Sequence, residues 1–260
     1  MNRPKILITN DDGVYAEGIK ALWQSVADFA DVMVVAPSEN VSGAGVSITL
    51  NNPLRMEEIE WASGKMAWKV SGRPADCVKL GLNAFAPGKP DLILSGINRG
   101  SNSGRTVFYS GTVGGVIEGA LRRVPGIAFS YENYDSPDFN QLKKYILPIV
   151  QHTLAHPLPD GTILNINFPD QPFKGIRLAQ QGLGYMNDDP DKRIHPTEKT
   201  PYYWLGEKWE HHDEPHDSDV VLLSQGYITA VPIRVQELTH QLHIDNHRSV
   251  FEKELSKLFH

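Results

Sequence analysis

The sequence predicts an α/β fold: a doubly wound, mostly parallel sheet with helices on both faces. Three observations predict it. Short continuous apolar runs such as Ile6-Leu7-Ile8 recur along the chain, as strands buried on both faces do. Amphipathic segments of helical periodicity lie between several of those runs. Polar, oxygen-bearing residues stand just after the runs, where open α/β sheets bind ligands.

The expected strands are Lys5–Thr9, Asp31–Ala36, Asp91–Ser95, Gly126–Ser130 and Thr162–Phe168. The expected helices alternate with them. Gly18–Phe29 carries Ile19, Leu22, Trp23 and Val26 on one face, and Asp76–Phe85 carries Val78, Leu82 and Phe85 likewise. Thr112–Arg123 and Phe139–His152 complete the set. Ser47–Leu54 and Met66–Val70 interrupt the alternation and read as an extra β-hairpin. Beyond Phe168, the stretch Gly182–Asp219 is rich in Asp, Pro, His and Lys, with Tyr202, Tyr203, Trp204 and Trp209 among them. It is too long for an ordinary loop and reads as a β-rich protruding arm or oligomer contact. Gly226–Ile233 reads as a late strand. From Ser249, the residues Phe251, Leu255, Leu258 and Phe259 recur at helical spacing and predict a C-terminal amphipathic helix. The expected organisation is a main α/β domain over 1–180. Residues 181–260 form arm, late strand and oligomerisation tail, without independence as a domain.

The bulk numbers bound the function. A chain of 260 residues suffices for one large α/β domain. The net charge of −6, with no basic block, argues against binding a nucleic-acid duplex. No run approaches the roughly 20 apolar residues of a membrane span. The N-terminal apolar stretch is too short for a signal peptide. The single cysteine, Cys77, excludes an intramolecular disulfide and reads as a small buried hydrophobe. A soluble, cytoplasmic protein is expected.

The chemistry gathers at three strand ends. Asp11 and Asp12 follow the first strand, Ser42 lies in the loop Pro37–Gly45 after the second, and Asn98 follows Asp91–Ser95. Two adjacent carboxylates repel unless something positive sits between them. An all-oxygen set favours a hard divalent ion such as Mg²⁺ or Mn²⁺. An Asn-Asp-Gly turn at the end of a strand accounts for the aspartates equally well. The glycine-rich run Asn98–Gly104 leads to Ser110, Gly111 and Thr112 at the start of an apolar helix. Free N–H groups at such an end bind anions. The chain has no G-x-G-x-x-G after the first strand, no P-loop signature and no G-x-S-x-G elbow. The cluster His211, His212, Asp213, His216 and Asp217 reads as solvated surface rather than a zinc site.

Taken together, these motifs resemble the SurE family of nucleotidases. The resemblance rests on Thr9-Asn10-Asp11-Asp12-Gly13, Ala36-Pro37 with Ser42-Gly43-Ala44, and Pro74-Ala75-Asp76-Cys77-Val78. It continues through Ser95-Gly96-Ile97-Asn98 with Gly100 and Asn102, Ser110-Gly111-Thr112-Val113, Ser218-Asp219 and Gly226-Tyr227-Ile228. It implies a Rossmann-like catalytic domain and hydrolysis of nucleoside 5′- and 3′-monophosphates to nucleoside and phosphate. It implies one divalent metal ion per subunit, Mg²⁺ or Mn²⁺, on Asp11, Asp12, Ser42 and Asn98. It also implies homodimers or homotetramers that exchange C-terminal elements. Departures fall at Ser38 and Val41, where the family usually has Asp and Arg, at Arg73 for Thr, at Ser101 for Pro and at Thr106 for Asp.

The expected chemistry is metal-assisted hydrolysis. Asn98, Asn102, Ser110, Gly111 and Thr112 would hold phosphate oxygens, and Asp11 or Asp12 would accept the proton of the attacking water. Two other classes stay open: a metal-dependent nucleotidyl or nucleotide-sugar transferase, and a non-catalytic nucleotide-binding regulator.

Overall fold

A computed structural model describes residues 3–85, 88–170, 172–187, 189–205 and 208–259. The elements run β1 (Lys5–Thr9), α1 (Glu17–Val26), β2 (Asp31–Pro37), β3 (Met56–Glu60), β4 (Met66–Val70), α2 (Pro74–Ala84) and β5 (Leu92–Arg99). They continue as α3 (Gly111–Leu121), β6 (Gly126–Tyr131), α4 (Lys143–Ala155), β7 (Thr162–Phe168) and β8 (Gly175–Leu178). The arm supplies β9 (Tyr185–Asn187), β10 (Asp191–Ile194), β11 (Pro201–Trp204) and β12 (Lys208–Glu210). The chain returns through α5 (Asp219–Ser224) and β13 (Tyr227–Arg234) to α6 (Gln241–Leu255).

One sheet holds the order β3-β4-β2-β1-β5-β6-β7-β13-β8. Only the β3/β4 and β7/β13 pairs in it are antiparallel among the described residues. Strand residues alternate between the two faces. Ile6 and Ile8 of β1 therefore enter the core under α1 and α4, and Leu7 enters the one under α2 and α3. From β1 the chain winds outward through β2, then crosses back through α2 to place β5 on the other side of β1. The strand order thus reverses between β1 and β5, which opens a crevice at their carboxyl ends.

Several boundaries differ from the sequence expectation. The hairpin forms from β3 and β4, and Ser47–Leu54 stays a loop. That loop is tied by side chains instead of a ladder. Asp76 accepts from the Thr49 amide at 3.0 Å and its hydroxyl at 2.7 Å, and Arg73 Nη1 donates to Ser47 Oγ at 2.9 Å. The segment from Phe139 starts as a 3-10 turn through Leu142 and continues as α4 to Ala155, past His152. The C-terminal helix begins at Gln241 rather than Ser249, because the His240 ring caps it by accepting from the His243 amide at 3.0 Å. The strand expected to end at Ser95 runs on to Arg99, with a register shift between Ser95 and Asn98. There Gly96 has φ +125°, and a Cβ on it would lie 2.3 Å from the Phe129 carbonyl oxygen. Only glycine lets the strand pass so close to β6.

The arm consists of two nested antiparallel pairs, β9 with β12 and β10 with β11. Cys77 is buried and unpaired in the core below α2. No described helix is long and apolar enough to cross a membrane.

Candidate active site at the β1–β5 switch point

The crevice at the switch point is the floor of an open cleft of about 1310 Å³. Asp11, Ser42, Asn98, Asn102 and Ser110 all line it, although they come from four separate stretches of chain. The tight turn after β1 begins with Asn10, whose side-chain amide donates to the Gly13 carbonyl at 2.9 Å. The Val41 amide donates to the Asp11 carbonyl at 2.8 Å, which pins the Ser42 loop over the same turn.

Asp11 is 3% exposed. Burial raises its pKa, against the lowering effect of the Thr112 hydroxyl and of the backbone at Gly111 and Thr112. The Thr112 hydroxyl donates directly to Asp11 Oδ1. Gly111 is required here, since a Cβ on it would lie 2.8 Å from both Asp11 Cβ and Oδ2. The amino end of α3, expected to bind phosphate, is seated against the first aspartate. Gly111 and Thr112 lie beneath the cleft lining. Ser110 lines the cleft and also caps the helix, accepting from the Val113 amide at 3.1 Å.

Asp12 is half-buried beside it. Burial and the charge of Asp11 push it up to about 6, against a hydrogen bond from the Arg99 amide at 3.3 Å and the positive charge of Arg99. No lysine or arginine side chain forms an ion pair with either aspartate among the described residues. Asn98 directs its Nδ2 to the Gly100 carbonyl at 2.8 Å, which leaves Oδ1 as its acceptor for the cleft. Ser42 Oγ donates to Asn40 Oδ1 at 2.6 Å and keeps its lone pairs. The set is two carboxylates without a salt bridge among the described residues, with an amide and a hydroxyl oxygen, which fits a hard divalent cation.

Asn102 is held from three sides. Its amide donates to Asn167 Oδ1 at 2.7 Å, its Nδ2 donates to Ser130 Oγ at 2.8 Å, and its carbonyl accepts from Asn165 Nδ2 at 2.9 Å. The glycine-rich run is thus anchored to β6 and β7, and Asn102 Oδ1 is left for a donor.

Sequence reasoning missed the far wall of this cleft. Met186, Leu205, Trp209, His211 and His212 of the arm, with Val220 and Val221 of α5, line the same cleft as Asp11. Nothing in local periodicity marks residues so distant in sequence as neighbours. The Ser218-Asp219 motif was the available signal. Asp219 is fully buried and accepts from the amides of Gly104 at 3.1 Å and Gly182 at 2.8 Å, tying the arm to the glycine-rich run. The histidine cluster forms no metal-binding group among the described residues.

The family model described as Survival protein SurE matches residues 6–188. A relative from Protochlamydia amoebophila, named 5′-nucleotidase SurE, is 47% identical over 255 residues, covering 96% of this chain and 98% of its own. One of the same name from Cytophaga hutchinsonii is 39% identical over 247 residues, covering 93% and 95%. The crystal structure of the SurE protein from Aquifex aeolicus superposes with a TM-score of 0.81 at 35% identity, covering 95% of this chain and 99% of that one. The doubly wound sheet, the switch-point aspartates and these matches together place the chain in the SurE family.

Proposed function

We propose that the chain is a divalent-metal-dependent nucleotidase that hydrolyses nucleoside 5′-monophosphates, and 3′-monophosphates, to nucleoside and inorganic phosphate. The observation that carries this reading is the pair Asp11 and Asp12, desolvated and without a salt bridge among the described residues, with Asp11, Ser42 and Asn98 lining one cleft. The activity named for relatives up to 47% identical supports the substrate class.

Asp11, Asp12, Ser42 and Asn98 would hold one Mg²⁺ or Mn²⁺. Such an ion supplies charge neutralisation at the phosphate and a more acidic water. The chain's own residues do the rest. Asn98, Asn102 and Ser110 face the phosphate, and the dipole of α3 adds to the positive potential there. Gly111 and Thr112 act on Asp11, holding its carboxylate in place. Asp12 Oδ1 accepts no hydrogen bond among the described residues, so it is the oxygen free to take the proton of the attacking water. The water oxygen would form its bond to phosphorus in line with the breaking ester bond, and the nucleoside oxygen would leave with a proton taken from solvent as Asp12 gives up its own to solvent.

We also propose that the chain works as a homodimer or homotetramer. Tyr203, Trp204, Phe251 and Leu258 are each more than half exposed, which suits burial against another copy. Phe251, Leu255 and Leu258 are exposed on the tail; the Phe259 side chain lies outside the described residues. A cytoplasmic site of action goes with this reading, since nucleoside monophosphates are intracellular metabolites.

The test is phosphate release by purified protein from a panel of nucleoside monophosphates, after metal removal and with Mn²⁺ or Mg²⁺ restored. Release is expected only with metal. Full turnover by protein shown to be metal-free by elemental analysis overturns the metal assignment. Transfer to a second substrate without net phosphate release overturns the hydrolase.

A further inference from the structure

We propose that the apolar wall of the cleft is the nucleobase subsite and that Trp209 is its ledge; this deepens the nucleotidase reading. The cleft lining combines two kinds of side chain. The strand-end loops contribute a carboxylate, amides and hydroxyls that suit a phosphate, and the arm and α5 contribute Met186, Leu205, Trp209, Val220 and Val221 beside the polar His211, His212 and Glu214. A ligand with an anionic group and a flat apolar ring matches that lining, and a nucleoside monophosphate has this form. At about 1310 Å³ the cleft exceeds the roughly 300–1,000 Å³ of ordinary small-molecule sites, so ring and phosphate fit together in it.

The ledge is built rather than incidental. Trp209 and Met186 are cross-strand partners in the β9–β12 pair, and both face the cleft. The Trp209 indole lies on the backbone of Gly184, where a Cβ would come within 2.6 Å of its Cζ2. Gly184 in turn is fixed from two directions. Its amide donates to Glu214 Oε1 at 2.7 Å, and its carbonyl accepts from the Arg105 amide at 2.7 Å. Arg105 directly follows the run that ends in Gly104, and the Gly104 amide is held by Asp219. The indole is thus keyed through backbone contacts to the loop carrying Asn98 and Asn102. A base on the ledge and a phosphate on the loop are positioned by one framework. Across the cleft, Tyr134 is a weaker candidate, since the Arg99 guanidinium already lies over its ring at 4.7 Å.

The experiment compares wild type with Trp209→Ala and Trp209→Phe. Adenosine binding is measured by equilibrium dialysis, and kinetics are measured with adenosine 5′-monophosphate and with ribose 5-phosphate. Base–aromatic stacking lost on truncation to alanine predicts roughly tenfold to a hundredfold weaker adenosine binding, with the same rise in KM for the nucleotide. The Phe variant keeps a ring and retains most of the affinity. In Trp209→Ala the KM for ribose 5-phosphate rises far less than the KM for the nucleotide, and inhibition by inorganic phosphate changes less than adenosine binding does. Met186→Ala, which leaves the indole in place, reproduces part of the effect. Adenosine binding that is unchanged in Trp209→Ala overturns the ledge, as does an equal KM loss for nucleotide and ribose 5-phosphate. Trp209-dependent adenosine binding by a wild type that releases no phosphate supports the ledge while removing the nucleotidase reading.

Discussion

Replacing Thr112 by Val separates the two jobs open to the start of α3. The side chains are close in volume and Thr112 is fully buried, so packing is conserved and the lost group is the hydroxyl. That hydroxyl donates to Asp11 Oδ1. A hydrogen bond to a charged group contributes about 1.5–3 kcal/mol. In the metal-free protein Asp11 can take up a proton instead, because burial already raises its pKa. The full loss appears only when Asp11 must stay anionic, with a cation bound. Removing a partner behind a metal ligand typically weakens metal binding by about 10–100-fold. We therefore expect the Mn²⁺ concentration for half-maximal phosphate release to rise by that factor, with inhibition by phosphate at saturating Mn²⁺ unchanged. Calorimetric titration with Mn²⁺ gives an independent affinity. Weaker phosphate inhibition with an unchanged Mn²⁺ requirement would refute the reasoning and return the hydroxyl to the substrate.

Asp12→Asn is expected to lower kcat by at least about a hundredfold, roughly 2.7 kcal/mol of barrier, while making the metal-free protein harder to unfold in urea by removing the repulsion with Asp11. Near-wild-type kcat at saturating metal would exclude Asp12 from the site. Asp219 is pushed up to about 6 by burial, so the folded state holds a proton there that the unfolded chain, with the ordinary value of 3.8, has lost. Its contribution to stability is present below about pH 4 and is lost as pH rises to about 6, by up to about 3 kcal/mol. The stability gap between wild type and Asp219→Asn, read from urea curves at pH 4 and pH 7, should shrink toward neutrality; a widening gap reverses the sign. Deleting the tail from Ser249 should dissociate or destabilise the oligomer, and light scattering that finds a full-length monomer at micromolar concentration removes that proposal.

The main sheet was legible in the sequence because its strands are local objects. Thr162–Phe168 is buried at every position and carries Ile163, Leu164, Ile166 and Phe168 in seven residues, and its expected bounds match β7. That Asp11, Ser42 and Asn98 line one cleft was legible for a topological reason. Alternating strands and helices force a switch point, and residues just past the strands meet there whatever the side-chain details. The departures have the opposite character. Ser47–Leu54 looks like a strand until Asp76 and Arg73, distant in sequence, take up its polar groups. Thr112 shows no link to Asp11 until α3 is set down on it, a contact across a separation of 101 residues. The arm wall with Trp209 depends on two carboxylates, Asp219 and Glu214, gathering backbone amides from Gly104 and from Gly182, Leu183 and Gly184. Periodicity and turn chemistry act over a few residues, so the sequence by itself determined the layers and the strand ends. Which buried polar group answers which is decided by proximity in three dimensions, and only the tertiary structure contains it.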